Sequence, residues 1–314
     1  MPEKKLTRVL FSSDVHGSEK TFMKLLNAAK MYQANVLILS GDLTGKALIP
    51  IVRDGDIFSA DVLGRILTAR TAQDLAELEK DLRSVGYYYF ASTKDEVERL
   101  RNDKAEVDRL FAKLIDDRIR RWIGLAEDRL SGTDIRCYIS PGNDDRFSID
   151  QILSSSGFVV NPEDRLVKID DYHEMITLGW SNPTPWNSQR ECSEDVMRKK
   201  IESLVSKVEN IDDSIFNFHC PPYNSNLDMA PKVQGDLEAS AQMIPVGSTA
   251  VREAIEEHRP LLGLHGHVHE SRGRVKIGRT WCFNPGSEYT EGILRAYLIN
   301  LDQKSVKSYQ SVSG

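Results

Sequence analysis

Five short apolar runs in this chain each end, within a few residues, in Asp, Asn or His. Arg8–Ser13 runs into Asp14-Val15-His16, and Val36–Ser40 into Gly41-Asp42. Ile135–Ile139 is followed by Gly142-Asn143-Asp144-Asp145. Ile215–Phe218 is followed by His219, and Leu261–Leu264 leads to Gly266-His267-Val268-His269. Short apolar runs stopped by Gly, Ser, Pro or His read as buried strands. Each candidate ligand therefore sits just past the carboxyl end of a strand, where open α/β sheets place their sites.

Helical patterns separate many of these strands. Phe22, Leu25, Leu26 and Ala29 form one apolar stripe behind Ser18. Ile201, Leu204, Val205 and Val208 repeat that spacing behind Ser193. Val251, Ala254, Ile255 and His258 do so behind Ser248, and Pro260 stops that helix. Met175–Trp180 reads as a further strand, as do Arg274–Ile277, Thr280–Phe283 and Leu294–Leu301 near the end. Strand–helix alternation predicts an α/β sheet with helices outside it. The stretch from Arg53 to Ser131 differs, being charged and helical in pattern. Thr93 with Glu96 makes a capping box. Val107, Leu110, Phe111, Leu114, Ile115, Ile119 and Trp122 then give a long stripe. The expectation is one domain over residues 1–314 with a helical insertion or cap at 53–131 that flanks or overhangs the site; the alternative is that this stretch belongs to the core layer.

With 314 residues, 40% hydrophobic and 28% charged, the chain can bury a large core without staples. A net charge of −6 argues against sequence-independent nucleic-acid binding, which needs clustered Lys and Arg. Cys137, Cys192, Cys220 and Cys282 form no C-x-x-C pair, so the zinc-ribbon and thioredoxin motifs are excluded. Their isolation suggests a reducing compartment. With no apolar leader and no long apolar span, the expectation is a cytoplasmic protein without a membrane partner. Homo-oligomerisation stays open.

The strand-end residues comprise four His, two Asp and one Asn. Taken singly, each is an ordinary turn or surface residue. Their joint occurrence in this order, each behind a strand, points to a metal site. Mixed nitrogen and oxygen donors suit Mn²⁺, Fe, Zn²⁺, Ni²⁺ or Co²⁺ better than Ca²⁺ or Mg²⁺ alone. Seven donors exceed one tetrahedral ion but fit two divalent ions sharing a bridge. Two such ions about 3.5–4 Å apart can hold a hydroxide and clamp phosphate oxygens. Gly41-Asp42-Leu43-Thr44-Gly45-Lys46-Ala47 is not a P-loop: it is one residue short between the glycines and has Ala where Ser or Thr must reach Mg²⁺.

In order, Asp-x-His, Gly-Asp, Gly-Asn-x-Asp, His and Gly-His-x-His resemble the motif set of the calcineurin-like metallophosphoesterase superfamily. The resemblance spans Asp14 to His269 and extends to Asn284-Pro285-Gly286-Ser287, which looks like the segment that closes the sheet in bacterial and archaeal members. It implies a four-layer α/β/β/α sandwich of two mixed sheets. It also implies that Asp14, His16 and His269 bind one ion, that Asn143, His219 and His267 bind the other, and that Asp42 bridges them. One departure stands out. The position after Asn143 is often a His that protonates the leaving group, and here it is Asp144. Nearby cations favour the carboxylate form of Asp144, which cannot donate a proton. The two alternatives are a poor acid with a good leaving group, or a pocket that keeps Asp144 protonated.

The function implied is hydrolysis of a small-molecule or nucleotide phosphate ester, a phosphodiester before a monoester or a nucleic acid, by a metal-bridging hydroxide. The catalytic residues would be Asp42, Asn143 and Asp144. The alternative class is a non-catalytic metal-binding scaffold, which would be expected to have lost ligands. Asp145 is expected to orient Asn143 or a His, or else to be a solvated turn carboxylate. His265 is expected in the core or behind the ligands. His173 reads as a turn residue that could supply an acid only if its loop folded over the site. Trp186, Asn187 and Tyr223, on loops after strands, are candidates to line the substrate pocket.

Overall fold

The computed structural model describes residues 6–234 and 238–314. In the first strand, β1 (Thr7–Ser12), successive side chains face opposite ways, and both faces are apolar. Val9 and Phe11 enter a core between two sheets, whereas Leu10 enters a core beneath helices. Helix α1 (Glu19–Met31) follows, capped by Ser18, whose hydroxyl accepts from Thr21 N. In β2 (Val36–Ser40) the alternation repeats, with Val36 and Ile38 facing the other sheet and Leu37 and Leu39 facing the helices. Such double-sided burial is why these strands read as continuous apolar runs.

The chain continues through β3 (Leu48–Asp54), β4 (Ile57–Val62), β5 (Arg65–Ala69), α2 (Ala72–Ser84), β6 (Tyr88–Ser92), α3 (Lys94–Arg101) and α4 (Lys104–Leu130). Next come β7 (Arg136–Ser140), α5 (Ser148–Ser154), β8 (Leu166–Lys168), β9 (Glu174–Leu178), α6 (Glu194–Val205) and β10 (Ile215–Phe218). The rest comprises β11 (Met229–Gln234), β12 (Glu238–Pro245), α7 (Thr249–His258), β13 (Leu262–Leu264), β14 (Gly273–Ile277), β15 (Thr280–Asn284), β16 (Arg295–Asp302) and β17 (Ser305–Ser313).

One mixed sheet has the order β17-β16-β1-β2-β7, and the other β14-β15-β13-β10-β9-β8. In the first, β1, β2 and β7 are parallel while β16 is antiparallel to β1. In the second, β9, β10, β13 and β15 are parallel. Val9, Phe11, Val36 and Ile38 meet Ile215, Leu262, Leu264 and Phe283 between the sheets. α1, α4 and α5 cover the outer face of the first sheet, and α6 and α7 that of the second. These are the four layers of an α/β/β/α sandwich. The parallel strands of both sheets direct their carboxyl ends to one edge, and the loops leaving β1, β2, β7, β10 and β13 converge there.

The segment from 53 to 131 is not wholly helical. β3, β4, β5 and β6 form a separate four-stranded sheet in the order β5-β4-β3-β6. Gly55-Asp56 and Leu63-Gly64 are two-residue hairpin loops. The second has φ values of 54° at Leu63 and 83° at Gly64, the left-handed pair that tight hairpins require. The dense charge of this region hides a short alternating pattern, whereas Asp54-Gly55 and the aromatic run Tyr87–Phe90 are its strand signals. The predicted α4 stripe is present, and it divides in function. Ile115, Ile119, Trp122, Ala126 and Leu130 join the core with α1, and Trp122 stacks on Phe22 at 4.3 Å between centroids. The carboxyl half of α4 is thus core layer.

This division predicts unequal costs for truncation. Trp122→Ala removes a buried, stacked ring and should destabilise the fold by about 3–5 kcal/mol in urea unfolding. Leu63→Ala, at an exposed hairpin tip, should stay within about 0.5 kcal/mol. Equal effects would show that α4 is not part of the core.

Candidate metal centre

Burial and backbone conformation set this site apart from ordinary loops. Asp14 and Asp42 are 1% and 2% exposed, and His16, His219 and Asn143 are buried with them. Four of these strand-end residues occupy the left-handed region, with φ of 55° at Asp14, 40° at His16, 43° at Asp42 and 67° at His267. For residues with a Cβ this costs about 1–2 kcal/mol each and persists only where surrounding contacts impose it. Those contacts are visible. Asp14 N donates to Gly41 O at 3.1 Å and His16 N to Asp42 O at 2.9 Å, so the first two loops hold one another. Gly41 has φ of 87°, and a Cβ there would lie 1.9 Å from His219 Nδ1. A Cβ on Gly266 would lie 2.3 Å from Asp14 Oδ2. Both ligand blocks need glycine for this close approach.

The seven strand-end side chains all come together. His16 Nε2 and His269 Nε2 are 3.0 Å apart, and His269 Nε2 is 3.5 Å from Asp14 Oδ1. On the other side, Asn143 Oδ1 lies 3.1 Å from His219 Nε2 and 2.8 Å from His267 Nδ1. Asp42 faces both groups, with Oδ1 3.4 Å from His219 Nε2 and Oδ2 3.7 Å from His16 Nε2. Donors about 2.0–2.2 Å from one ion, at angles of about 90–109°, lie about 2.8–3.6 Å from each other. The observed spacings are close to that range, and in the metal-free site the same contacts serve as hydrogen bonds between imidazoles and to Asn143 Oδ1. The fit extends to protonation. Among the described residues, His16 Nδ1 and His219 Nδ1 are buried without hydrogen-bond partners. A proton there leaves Nε2 free to present its lone pair inward.

Burial pushes the Asp14 carboxyl upward, but His219 and His269 overcome it and hold it at about 2. Asp42 is likewise held well below its ordinary value by His219 and His16 against burial. Burial lowers His16 and His267 to about 4, leaving both imidazoles neutral. His219 moves the other way: burial opposes its charge, but Asp42 and Asp14 raise it to about 9. Two ionised carboxylates in an enclosed site thus attract a proton to an imidazole that a divalent cation would displace.

Other residues lock the ligand loops. Asp145 is fully buried and accepts from Leu43 N, Thr44 N and Thr44 Oγ1 at 2.9, 2.9 and 2.6 Å. It therefore orients the loop carrying Asp42. This corrects the expectation that it orients Asn143 or a His, because its oxygens are already filled by backbone and hydroxyl donors. Asn143 Nδ2 donates to Ser188 Oγ at 2.7 Å, and Ser188 Oγ donates to Glu191 Oε1 at 2.5 Å. That relay turns Asn143 Oδ1 toward the imidazoles. Asn284 Nδ2 donates to Val268 O at 2.9 Å and Ser287 Oγ to Asp14 O at 2.6 Å, so the segment after β15 latches two ligand loops.

Sequence reasoning missed Ser188, Glu191, Lys46 and Tyr289. Lys46 Nζ forms an ion pair with Asp144 Oδ2, and the Tyr289 ring packs on His16 at 4.7 Å between centroids. Glu191 follows Ser188 at the spacing of a polar turn, which was its one local signal. Asp144 sits at the mouth. Its amide donates to Asp42 Oδ1 at 3.0 Å. Burial and Asp42 raise its carboxyl to about 6 against the pull of Lys46. Trp186, 63% exposed, and Asn187 stand on the loop that contains Ser188, and Tyr223 is exposed on the loop after β10. His265 is a core residue, with Nδ1 2.8 Å from Phe218 O. His173 cannot reach the site: it precedes β9, at the opposite strand ends, and contacts Asp170 Oδ2 at 2.6 Å.

A family model described as calcineurin-like phosphoesterase matches residues 7–271. Protein MJ1162 of Methanocaldococcus jannaschii, whose name describes it as uncharacterised, is 33% identical over 147 residues, 46% of this chain and 61% of that protein. The chain thus aligns with under two thirds of that relative. The crystal structure of TT1561 from Thermus thermophilus is similar over 98% of this chain and 99% of its own, at 14% identity and a TM-score of 0.55. A second solved structure reaches a TM-score of 0.57 at 14% identity, with the same coverages. At that identity the likeness is one of fold.

The protonation pattern fixes a pH dependence. A divalent ion held by His219 would need the Nε2 lone pair, whereas Asp42 and Asp14 raise His219 to about 9 in the metal-free site. Mn²⁺ affinity should rise with pH from about 6 to about 9, with proton release, and then level. Calorimetry in buffers of different ionisation enthalpy measures both. Affinity that is flat across this range contradicts the ligand role of His219. Ser188→Ala should weaken binding of one equivalent of Mn²⁺ by about 10–100-fold while leaving the other unchanged.

Proposed function

The chain belongs to the calcineurin-like phosphoesterase family, and from that premise we propose that it hydrolyses a phosphate ester, a phosphodiester in preference to a monoester, with two divalent ions. Asp14, His16 and His269 would hold one ion, Asn143, His219 and His267 the other, and Asp42 would touch both. The observation that carries this reading is the division of seven side chains into two groups, with one Asp42 oxygen turned toward each. When bound, the ions would neutralise phosphoryl oxygens and make a nucleophile of water near neutral pH. Mixed nitrogen and oxygen donors favour Mn²⁺, Fe, Zn²⁺, Ni²⁺ or Co²⁺.

The chain's own residues supply position and charge. Neutral His16 and His267 offer lone pairs, and the Ser188–Glu191 relay keeps Asn143 Oδ1 turned inward. Asp145 and Asn284 fix the loops, so little reorganises when substrate arrives. Asp144 bears on the choice of ester. A diester carries one negative charge near neutral pH and a monoester close to two. With Lys46 paired to it, Asp144 opposes that extra charge only weakly, and the main reason for a diester is that no His at this position protonates a poor leaving oxygen. Trp186, Asn187 and Tyr223 stand exposed on loops beside this edge, where a small-molecule or nucleotide substrate would present its organic groups.

The test is a Mn²⁺-supplemented screen of phosphomonoesters, cyclic nucleotides, dinucleotides and oligonucleotides, with a chelator control. The Asp42→Asn variant should lose activity by at least about 100-fold, because each ion loses a charged donor. Retained activity in that variant contradicts the bridging role. Binding of two ions with no hydrolysis of any ester would instead favour the scaffold alternative.

A further inference from the structure

Lys46 has no role in the reading above, yet it stands at the mouth of the centre. It lies on the loop between β2 and β3, four residues past Asp42, with its side chain 58% exposed. Its ammonium pairs with Asp144. The Asp144 carboxylate lies within 4.8 Å of donor atoms of His16 and Asp42. The pair is half-buried, with Asp144 16% exposed, and its ammonium end faces solvent, free to exchange partners. A lysine on a flexible four-carbon stem can leave one oxygen for another nearby.

A cavity of ≈ 240 Å³ adjoins the pair, lined by Lys46 and Asp144 with Phe111, Arg146 and Gln189 among its other walls. It is smaller than the roughly 300 Å³ at which drug-sized pockets begin, which suits one ring or one sugar and not a polymer strand. Arg146 is engaged, with its guanidinium 2.9 Å from Asp108 Oδ1. Of the two cations that line the cavity, Lys46 is the one paired with Asp144 beside the cluster.

We propose that Lys46 is a further catalytic residue, whose ammonium leaves Asp144 to hydrogen-bond the leaving-group oxygen of the ester while the leaving group occupies the cavity beside Phe111. This rests on the hydrolase reading. As a water oxygen bonds to phosphorus and its proton passes to solvent, the bond from phosphorus to the leaving oxygen breaks; that electron pair stays on the leaving oxygen, which Lys46 stabilises until solvent protonates it. A positive donor that meets the leaving oxygen as its charge develops acts on the transition state more than on the bound substrate.

The experiment uses the Mn²⁺-loaded full chain, Lys46→Met and Lys46→Arg, on aryl methyl phosphodiesters from dinitrophenyl to phenyl. Lys46→Met should lose about 100-fold in kcat/KM on the phenyl ester and under about 5-fold on the dinitrophenyl ester, with Mn²⁺ content unchanged. Lys46→Arg should recover most of the loss. A second readout is calorimetric binding of orthovanadate, whose oxygens also occupy the leaving position. Lys46→Met should bind it about 10-fold more weakly. Equal loss across the series, or no loss, together with unchanged vanadate binding overturns the proposal. If the wild type hydrolyses none of the esters, the hydrolase reading fails. The vanadate arm then decides Lys46 alone, weaker binding supporting the contact and unchanged binding refuting it.

Discussion

Two carboxylates, Asp14 and Asp42, lie side by side at the ends of adjacent parallel strands, almost wholly removed from water. Burying one unpaired charge is costly, and burying two that repel is worse. The surrounding chain offsets that cost with cationic or metal-binding groups brought in from β1, β7, β10 and β13. His219 shows the balance most clearly. Fully buried, it should be a weak base, yet Asp42 and Asp14 raise it to about 9. The site thus has the electrostatics of a cation receptor, and its imidazoles divide into two sets across Asp42.

Holding such a site requires backbone that would not persist elsewhere. Asp14, His16, Asp42 and His267 all sit at positive φ, which directs side chains from neighbouring loops inward. The strain is contained by buried partners. Asp145 fixes the loop after β2, Asn284 the loop after β13, and Ser287 the loop after β1. None of these three belongs to the seven-residue strand-end cluster, and each hydrogen-bonds backbone groups of the loops that carry it. The sandwich contributes rigidity: both sheets are apolar on both faces, so the strand ends that carry the loops are set by packing on two sides.

The strand-end cluster was legible because each of its blocks is a short polar signal directly behind an apolar run, and the same alternation revealed the layers. Val36–Ser40 and Ile215–Phe218 are strands at the expected bounds, and Ser18, Ser193 and Ser248 stand at the helix starts where predicted. The small sheet at 48–92 was not legible. Its strands are half exposed and carry charges, so composition mimicked a helix, and the signals against it were two tight turns and the aromatic run Tyr87–Phe90. Ser188 and Glu191 were opaque for a different reason. A hydroxyl and a carboxylate in a polar loop mean nothing until Asn143, 45 residues away, is seen against Ser188. Lys46 was seen only inside a false phosphate-loop pattern, because its meaning lies in contact with Asp144.

Whether Asp42 stands between two cation sites is decided by anomalous diffraction from Mn²⁺-loaded crystals. Two peaks about 3.5–4 Å apart are expected, one against Asp14, His16 and His269, the other against Asn143, His219 and His267, with Asp42 touching both. A single peak, or two with Asp42 bound to only one, would contradict that arrangement.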